Sequence, residues 1–187
     1  NLERTGKSCR SFFNIVDVLD DRQQITMKRF YTLFGEDIQD HRMLFETIAM
    51  DKKRFGNFGQ KKTALFLRHI HILHTQGDPR SRFISDYDID TQQLVIPVDR
   101  VIVTVLNKIW RTIFSANGHF NEINDFARSE LGNEFMLVED LWFWGYFNTK
   151  VENGQQEVYF TVNEDKYYSA NFIYPNDRLY QKLREFS

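Results

Sequence analysis

The chain reads as a mainly α-helical protein with a small C-terminal β-hairpin, and three observations carry that expectation. Apolar residues recur at three- and four-residue spacing through FFNIVDVL and RMLFETIAM, the period of a helix with one buried face. No proline occurs before Pro79, so nothing in the first third of the chain forbids helix. Only GQQEVYFTVNEDKYYSANFIYP alternates with a period of two, about a turn at Asn163, Glu164 and Asp165. With 187 residues and 42% hydrophobic content, the chain can bury one core, so a single domain or two closely packed lobes is expected.

Residues 12–55 are predicted helical and divided at Gly35. Asp40 stands where an N-cap belongs, ahead of a helix over about 41–52. FGNFGQ follows, and its two glycines and one asparagine favour a tight turn. The next helix is predicted from Gln60 to Thr75, ended by Gly77 and by Pro79, which cannot continue it. Residues 77–94 then read as a long polar loop, a length uncommon in a compact domain unless it serves a purpose. LVIPVDRVIVTVLNKIWRTIF is β-branched, yet Ile102, Val105, Leu106, Ile109 and Ile113 fall on one helical stripe, and its length decides for a helix over about 97–115. Pro97 keeps the approach extended and Asp99 sits at the N-cap position. Further helices are expected over about 121–131 and, in EDLWFWGYF, about 137–147. The hairpin follows, and DRLYQKLREF closes the chain as a helix. The aromatic C-terminal segment thus spans about 137–187.

Composition limits the function classes. Cys9 is the single cysteine, which excludes an internal disulfide, and nothing resembles a signal peptide or a membrane-length apolar run. A reducing, cytoplasmic setting is therefore expected, and the start at Asn1 leaves room for native residues upstream. A net charge of −2 and a pI near 6.2 give no support to coating nucleic acid by bulk electrostatics. Charge is nonetheless unevenly spread. Between Asp51 and Arg68 stand Lys52, Lys53, Arg54, Lys61, Lys62 and Arg68 against Asp51 alone, while acids collect in DVLDD, GEDIQD and NEIND. A basic patch on an acidic body suits a protein that meets a polyanion at one face. Eighteen Phe, eight Tyr and three Trp add more flat, stackable surface than packing alone requires.

A helix, a glycine-rich turn and a second helix over 41–75 place backbone N–H groups at a helix start, where phosphate binds. Gly56, Asn57, Gly59, Gln60 and Lys61 are the candidate DNA-gripping residues, with Lys52 and Lys53 adding charge. RHIHILH puts only His71 and His74 on one helical face, without a cysteine or acidic ligand nearby, so the histidines read as structural and no metal site is expected. No Walker-type loop, GxSxG elbow or GxGxxG pattern is present.

KTALF at 62–66 followed by IPVDR at 96–100 resembles the helix-hairpin-helix DNA glycosylase superfamily, and most of all its archaeal 8-oxoguanine glycosylase branch. The resemblance covers about 41–115 and, more loosely, 137–147; residues 150–187 lie outside it. It implies two helical lobes with the site between them, and a monomer that excises a damaged base such as 8-oxoguanine from duplex DNA. It further implies lyase activity through a lysine Schiff base. Asp99, 37 residues after Lys62, is implied as the carboxylate that stabilises oxocarbenium-like charge on the sugar. A carboxylate that caps a helix is held ionised by the N–H groups it faces. The G-x-K spacing common in the superfamily points to Lys61, whereas KTALF points to Lys62. Phe66, one helical turn after Lys62 and implied to stack on the flipped base, favours Lys62 as nucleophile and leaves Lys61 facing DNA. Burial beside Ala64, Leu65, Phe66 and Leu67 is the expected means of lowering the amine's pKa. Asp140 and Trp144 reproduce the implied spacing of a pocket aspartate and tryptophan, with Trp142 as the competing ring. Gln23 and Gln24 are candidate readers of the base edge. No cofactor is expected; the resemblance allows a monovalent cation held by hairpin carbonyls, and one cysteine excludes the iron–sulfur cluster of some relatives. A nucleoid-associated location is implied when the protein is on DNA.

Overall fold

A computed structural model of the chain describes residues 24–56, 58–110, 114, 120–152 and 155–158. They are mainly helical. The chain divides into two compact units at Pro97 and Val98.

The first unit holds α1 (Met27–Thr32), α2 (His41–Met50), α3 (Lys52–Phe55) and α4 (Gln60–Thr75). Short polar side chains open the first three. Thr26 accepts from Arg29 N, Asp40 from Met43 N at 2.7 Å, and Asp51 from Arg54 N at 3.0 Å. Gly35 lies between α1 and α2, as the sequence predicts. The predicted helix over 41–52 stops at Met50, because Asp51 leaves helical backbone (φ −82°, ψ 75°) to cap α3. Gly56 then turns the chain at φ 63°, ψ −120°, a conformation side chains with a Cβ rarely adopt. α4 has the predicted bounds, and it buries the stripe Thr63, Ala64, Leu67, Ile70, His71 and His74.

Phe30, Phe34, Leu44, Ile48 and Ile96 lie at the centre of this unit with at most 1% exposure. The long polar loop contains 3₁₀ turns at Pro79–Ser81 and Thr91–Gln93, each opened by an aspartate. Its polarity conceals anchors: Ile84, Leu94, Val95 and Ile96 are buried, and Ile84 forms a parallel bridge with Ile25.

The second unit holds α5 (Arg100–Trp110), α6 (Phe120–Leu131), a 3₁₀ stretch (Gly132–Glu139) and α7 (Asp140–Asn148). LVIPVDRVIVTVL is helical from Arg100, as length rather than β-propensity predicts. Past α5, the Asn107 side chain hydrogen-bonds both backbone groups of Phe114 at 2.8 Å. α5 and α7 pack closely at Gly145, where a Cβ would lie 2.5 Å from Val101 Cγ1 and 2.6 Å from Val105 Cγ2. The guanidinium of Arg128 lies 4.7 Å from the ring centre of Phe135, joining α6 to the 3₁₀ stretch. That stretch occupies the first turn of the helix expected from residue 137, so α7 begins at Asp140.

Strands β1 (Thr149–Glu152) and β2 (Gln155–Val158) pair antiparallel, Thr149 opposite Val158 and Glu152 opposite Gln155. Of the hairpin predicted about Asn163 to Asp165, only Gln155–Val158 is described, and it pairs back with β1; the rest of that hairpin, the closing helix and the FFNIVDVL helix lie outside the described residues, as do Asn57 and Gln23.

Candidate active site

The candidate residues fall into two groups, one in each unit. In the first, the turn at Gly56 leads to Gly59, which stands at the N-cap of α4 with extended backbone (φ −85°, ψ −179°). Among the described residues no side-chain hydrogen bond caps this helix. Thr63 closes its first turn instead, with the backbone N–H and the hydroxyl both donating to Gly59 O, at 3.0 and 3.1 Å. Gln60, Lys61 and Lys62 are all exposed there, and Lys52, Lys53 and Arg54 are exposed on neighbouring α3. The basic residues from Lys52 to Lys62 are therefore exposed on both sides of the turn, while Arg68 is half-buried.

Lys62 is not buried, contrary to the expectation that its apolar neighbours would enclose it. The phase of the helix is the reason. Thr63, Ala64 and Leu67 take the buried stripe, while Lys62, His69 and Leu73 point to solvent with half-buried Phe66 among them. Phe66 is fixed by aromatic neighbours, its ring centre 5.9 Å from that of Phe58, edge to face, and 6.2 Å from that of Phe34. Lys62 and Phe66 thus share one face, a turn apart.

In the second group, Asp99 caps α5. Its carboxylate accepts from Ile102 N at 3.1 Å, and its carbonyl accepts from Val103 N at 3.0 Å. The side chain is half-buried and hydrogen-bonded to the start of its own helix. Asp140 is exposed at the first position of α7, and Trp144, half-buried, stands one turn later. Trp142 is exposed and stacks on Tyr146, with ring centres 5.4 Å apart and planes 19° apart. The two tryptophans therefore occupy different settings on one helix. Gln24 is exposed and donates to Arg82 O at 3.0 Å, a contact that ties the chain ahead of α1 to the long loop.

Arg54, counted in the sequence only as charge, has a structural duty as well. Its guanidinium donates to the carbonyls of Leu33 and Phe34 and lies 5.1 Å from the ring centre of Phe55. It braces the turn after α1 against α3, directly ahead of Gly56. Nothing in local spacing signals this, because the partners are twenty residues upstream.

Among the described residues no group of three or more His, Cys, Asp or Glu side chains is placed to hold a metal ion, and no helix is long and apolar enough to cross a membrane. No family model, curated protein or solved structure matches the chain. Its functional reading rests on its own residues.

Proposed function

We propose that the protein is a helix-hairpin-helix DNA glycosylase with lyase activity, which removes an oxidised purine such as 8-oxoguanine from duplex DNA as a monomer. The observation that carries this reading is a pair of helix starts with complementary chemistry. α4 opens on glycine with Lys61 and Lys62 exposed in its first turn, and α5 opens on the Asp99 carboxylate. In this mechanism the target nucleotide leaves the base stack, because its glycosidic bond is unreachable inside a duplex. Gly56, Asn57, Gly59, Gln60 and Lys61 hold phosphates beside the lesion through backbone N–H groups and charge.

The neutral amine of Lys62 attacks C1′ of the sugar. The bond from C1′ to the base nitrogen breaks, the base departs with that bond's electrons and takes a proton, and Asp99 stabilises the positive charge on the sugar as it develops. The sugar ring then opens, the C1′–O4′ bond breaking as O4′ takes a proton, which leaves the amine joined to C1′ as a Schiff base; loss of a proton from C2′ then drives the β-elimination that breaks the bond from C3′ to its oxygen. Since Lys62 is exposed in the protein alone, bound DNA must supply the desolvation that favours its neutral form. Phe66 and Trp144 stack on the extruded base, Asp140 contacts its edge, and Trp142 is the alternative ring.

The exposure of Lys62 favours one other reading, a helix-hairpin-helix module that binds DNA without cleaving it. Borohydride trapping on duplex containing 8-oxoguanine separates the two. The glycosylase reading expects a covalent adduct that disappears in Lys62→Gln and persists in Lys61→Gln. Loss in Lys61→Gln alone would exchange the roles of the two lysines. Salt-sensitive binding with neither adduct nor base release would establish the non-catalytic module.

A further inference from the structure

Three buried histidines and two tyrosines lie outside the chemistry proposed above. They converge on the long segment that closes the first unit. Tyr31 of α1 hydrogen-bonds His41 Nδ1 at 3.2 Å, and Tyr87 of the segment hydrogen-bonds His71 Nδ1 on α4 at 3.3 Å. His74 stacks on Tyr87, with ring centres 4.4 Å apart and planes 21° apart. Tyr87 also meets His41 edge to face, at 6.1 Å. The backbone joins in: Ile84 N donates to His74 Nε2 at 3.0 Å, and His41 N donates to Gln93 Oε1 at 3.1 Å.

We infer that Tyr31, His41, His71, His74 and Tyr87 form a proton-sensitive latch holding residues 83–96 against α1, α2 and α4, which proton uptake releases. This inference does not rest on the glycosylase reading.

The polarity of the hydrogen bonds supplies the sensitivity. Because Ile84 N–H can only donate, His74 Nε2 must accept, and the ring proton lies on Nδ1, which donates to Ile70 O at 2.9 Å. A second proton on that ring would face the Ile84 N–H and break the bond that holds the segment to α4. His41 is fully buried, and among the described residues its Nε2 has no hydrogen-bond partner, so a charge there would be unsolvated.

The groups facing these rings mostly oppose protonation. His41 is held down to about 4 from its usual 6.5, by burial first and then by His71, with Asp40 pulling the other way. His71 is lowered by burial, Arg68 and His74. Tyr31 is raised to about 12 by burial and Asp40, and Tyr87 is raised by burial and Tyr31 against the pull of Arg68, so both hydroxyls stay neutral. Asp86, on the segment, is engaged by Met27 N at 2.6 Å.

The sign follows from the depressed values. The released state binds protons near pH 6.5, whereas the latched His41 resists them until about 4. The latch is therefore at full strength above about pH 6.5 and weakens as pH falls toward 4, where the opening equilibrium grows by up to about tenfold per pH unit for each such group.

The test is hydrogen exchange of the full chain at about pH 7.5 and about pH 5, corrected for the intrinsic rate. Amides of 83–96 are expected to lose about tenfold more protection than those of α5, and His41→Asn and His71→Asn, whose amides replace Nδ1 but do not titrate, are expected to flatten that loss. Should either variant fail to fold, Tyr87→Phe keeps the stacking on His74, removes the His71 bond, and is expected to lower protection of 83–96 already at neutral pH. Segment and α5 protection falling in parallel, or the wild-type pH dependence persisting in both histidine variants, would overturn the latch.

Discussion

The starts of α4 and α5 solve one problem in opposite ways. Every helix leaves its first N–H groups without partners inside the helix. α5 satisfies part of this need internally, since Asp99 accepts from Ile102 N and so brings a fixed negative charge to its own N-terminus. α4 begins at Gly59 with no side-chain cap among the described residues, and its first turn displays Lys61 and Lys62. One end carries a carboxylate supplied by the chain, and the other shows two lysines in its place. On the proposed reading, the difference divides the work: Asp99 would stabilise positive charge, and the glycine turn with its lysines would hold phosphate.

The largest effect expected from breaking this contrast is at Asp99. Asn caps a helix about as well as Asp, so Asp99→Asn should leave thermal stability within a few tenths of a kcal/mol. The charge is lost, however, and single-turnover base release should fall by about 10²–10³-fold. Unchanged release in a folded Asp99→Asn protein would remove the carboxylate from the mechanism. An equal loss of stability and activity would make Asp99 only a cap.

A smaller change gives α4 the chemistry of α5. A side chain at Gly59 meets nothing within 4 Å, and the extended backbone there suits an N-cap. Gly59→Asp should stabilise the first unit by about 0.5 kcal/mol while weakening affinity for duplex DNA about tenfold, because a carboxylate now occupies the anion's place. Gly59→Asn is the control that caps without charge. A melt and a binding isotherm on each variant decide the matter: undiminished binding by Gly59→Asp would show that phosphate does not sit at this helix start.

These two helix starts were legible in the sequence because their signals are local. Gly59, Gly77 and Pro79 punctuate α4, and Pro97 with Asp99 opens α5 despite the β-branched run that follows. Phase was harder to read. Lys62 next to Ala64 and Leu65 looks enclosed in one dimension, yet 100° per residue carries it away from the stripe through Thr63, Leu67 and Ile70. The end of α2 escaped notice because Asp51 serves as both a stop and a cap, and the 3₁₀ stretch at Gly132–Glu139 because its apolar residues also fit an α-helix. The contacts of Arg54 with Leu33 and Phe34, and the meeting of His41, His71 and Tyr87, join residues far apart in the chain. No local period encodes them. What links Lys62 to Asp99 in the sequence is order and residue type, which speak to chemistry rather than distance.

The finest comparison between the two helix starts lies in their dependence on salt. Each phosphate neutralised by a cation contributes about 0.9 to the slope of log affinity against log salt. Lys61 and Arg100 are both exposed in the first turn of their helices, but Arg100 directly follows a carboxylate that already serves its helix end. Lys61→Gln should therefore lower the slope by about 0.9 and weaken binding severalfold at moderate salt. Arg100→Gln should leave the slope unchanged. Equal drops would mean that both starts meet phosphate, and the division of labour between glycine-opened and aspartate-opened helices would then fail. A drop in Lys61→Gln alone would fix the phosphate contact to α4 without recourse to any catalytic assay, so the DNA-binding and the chemical parts of the proposal can stand or fall separately.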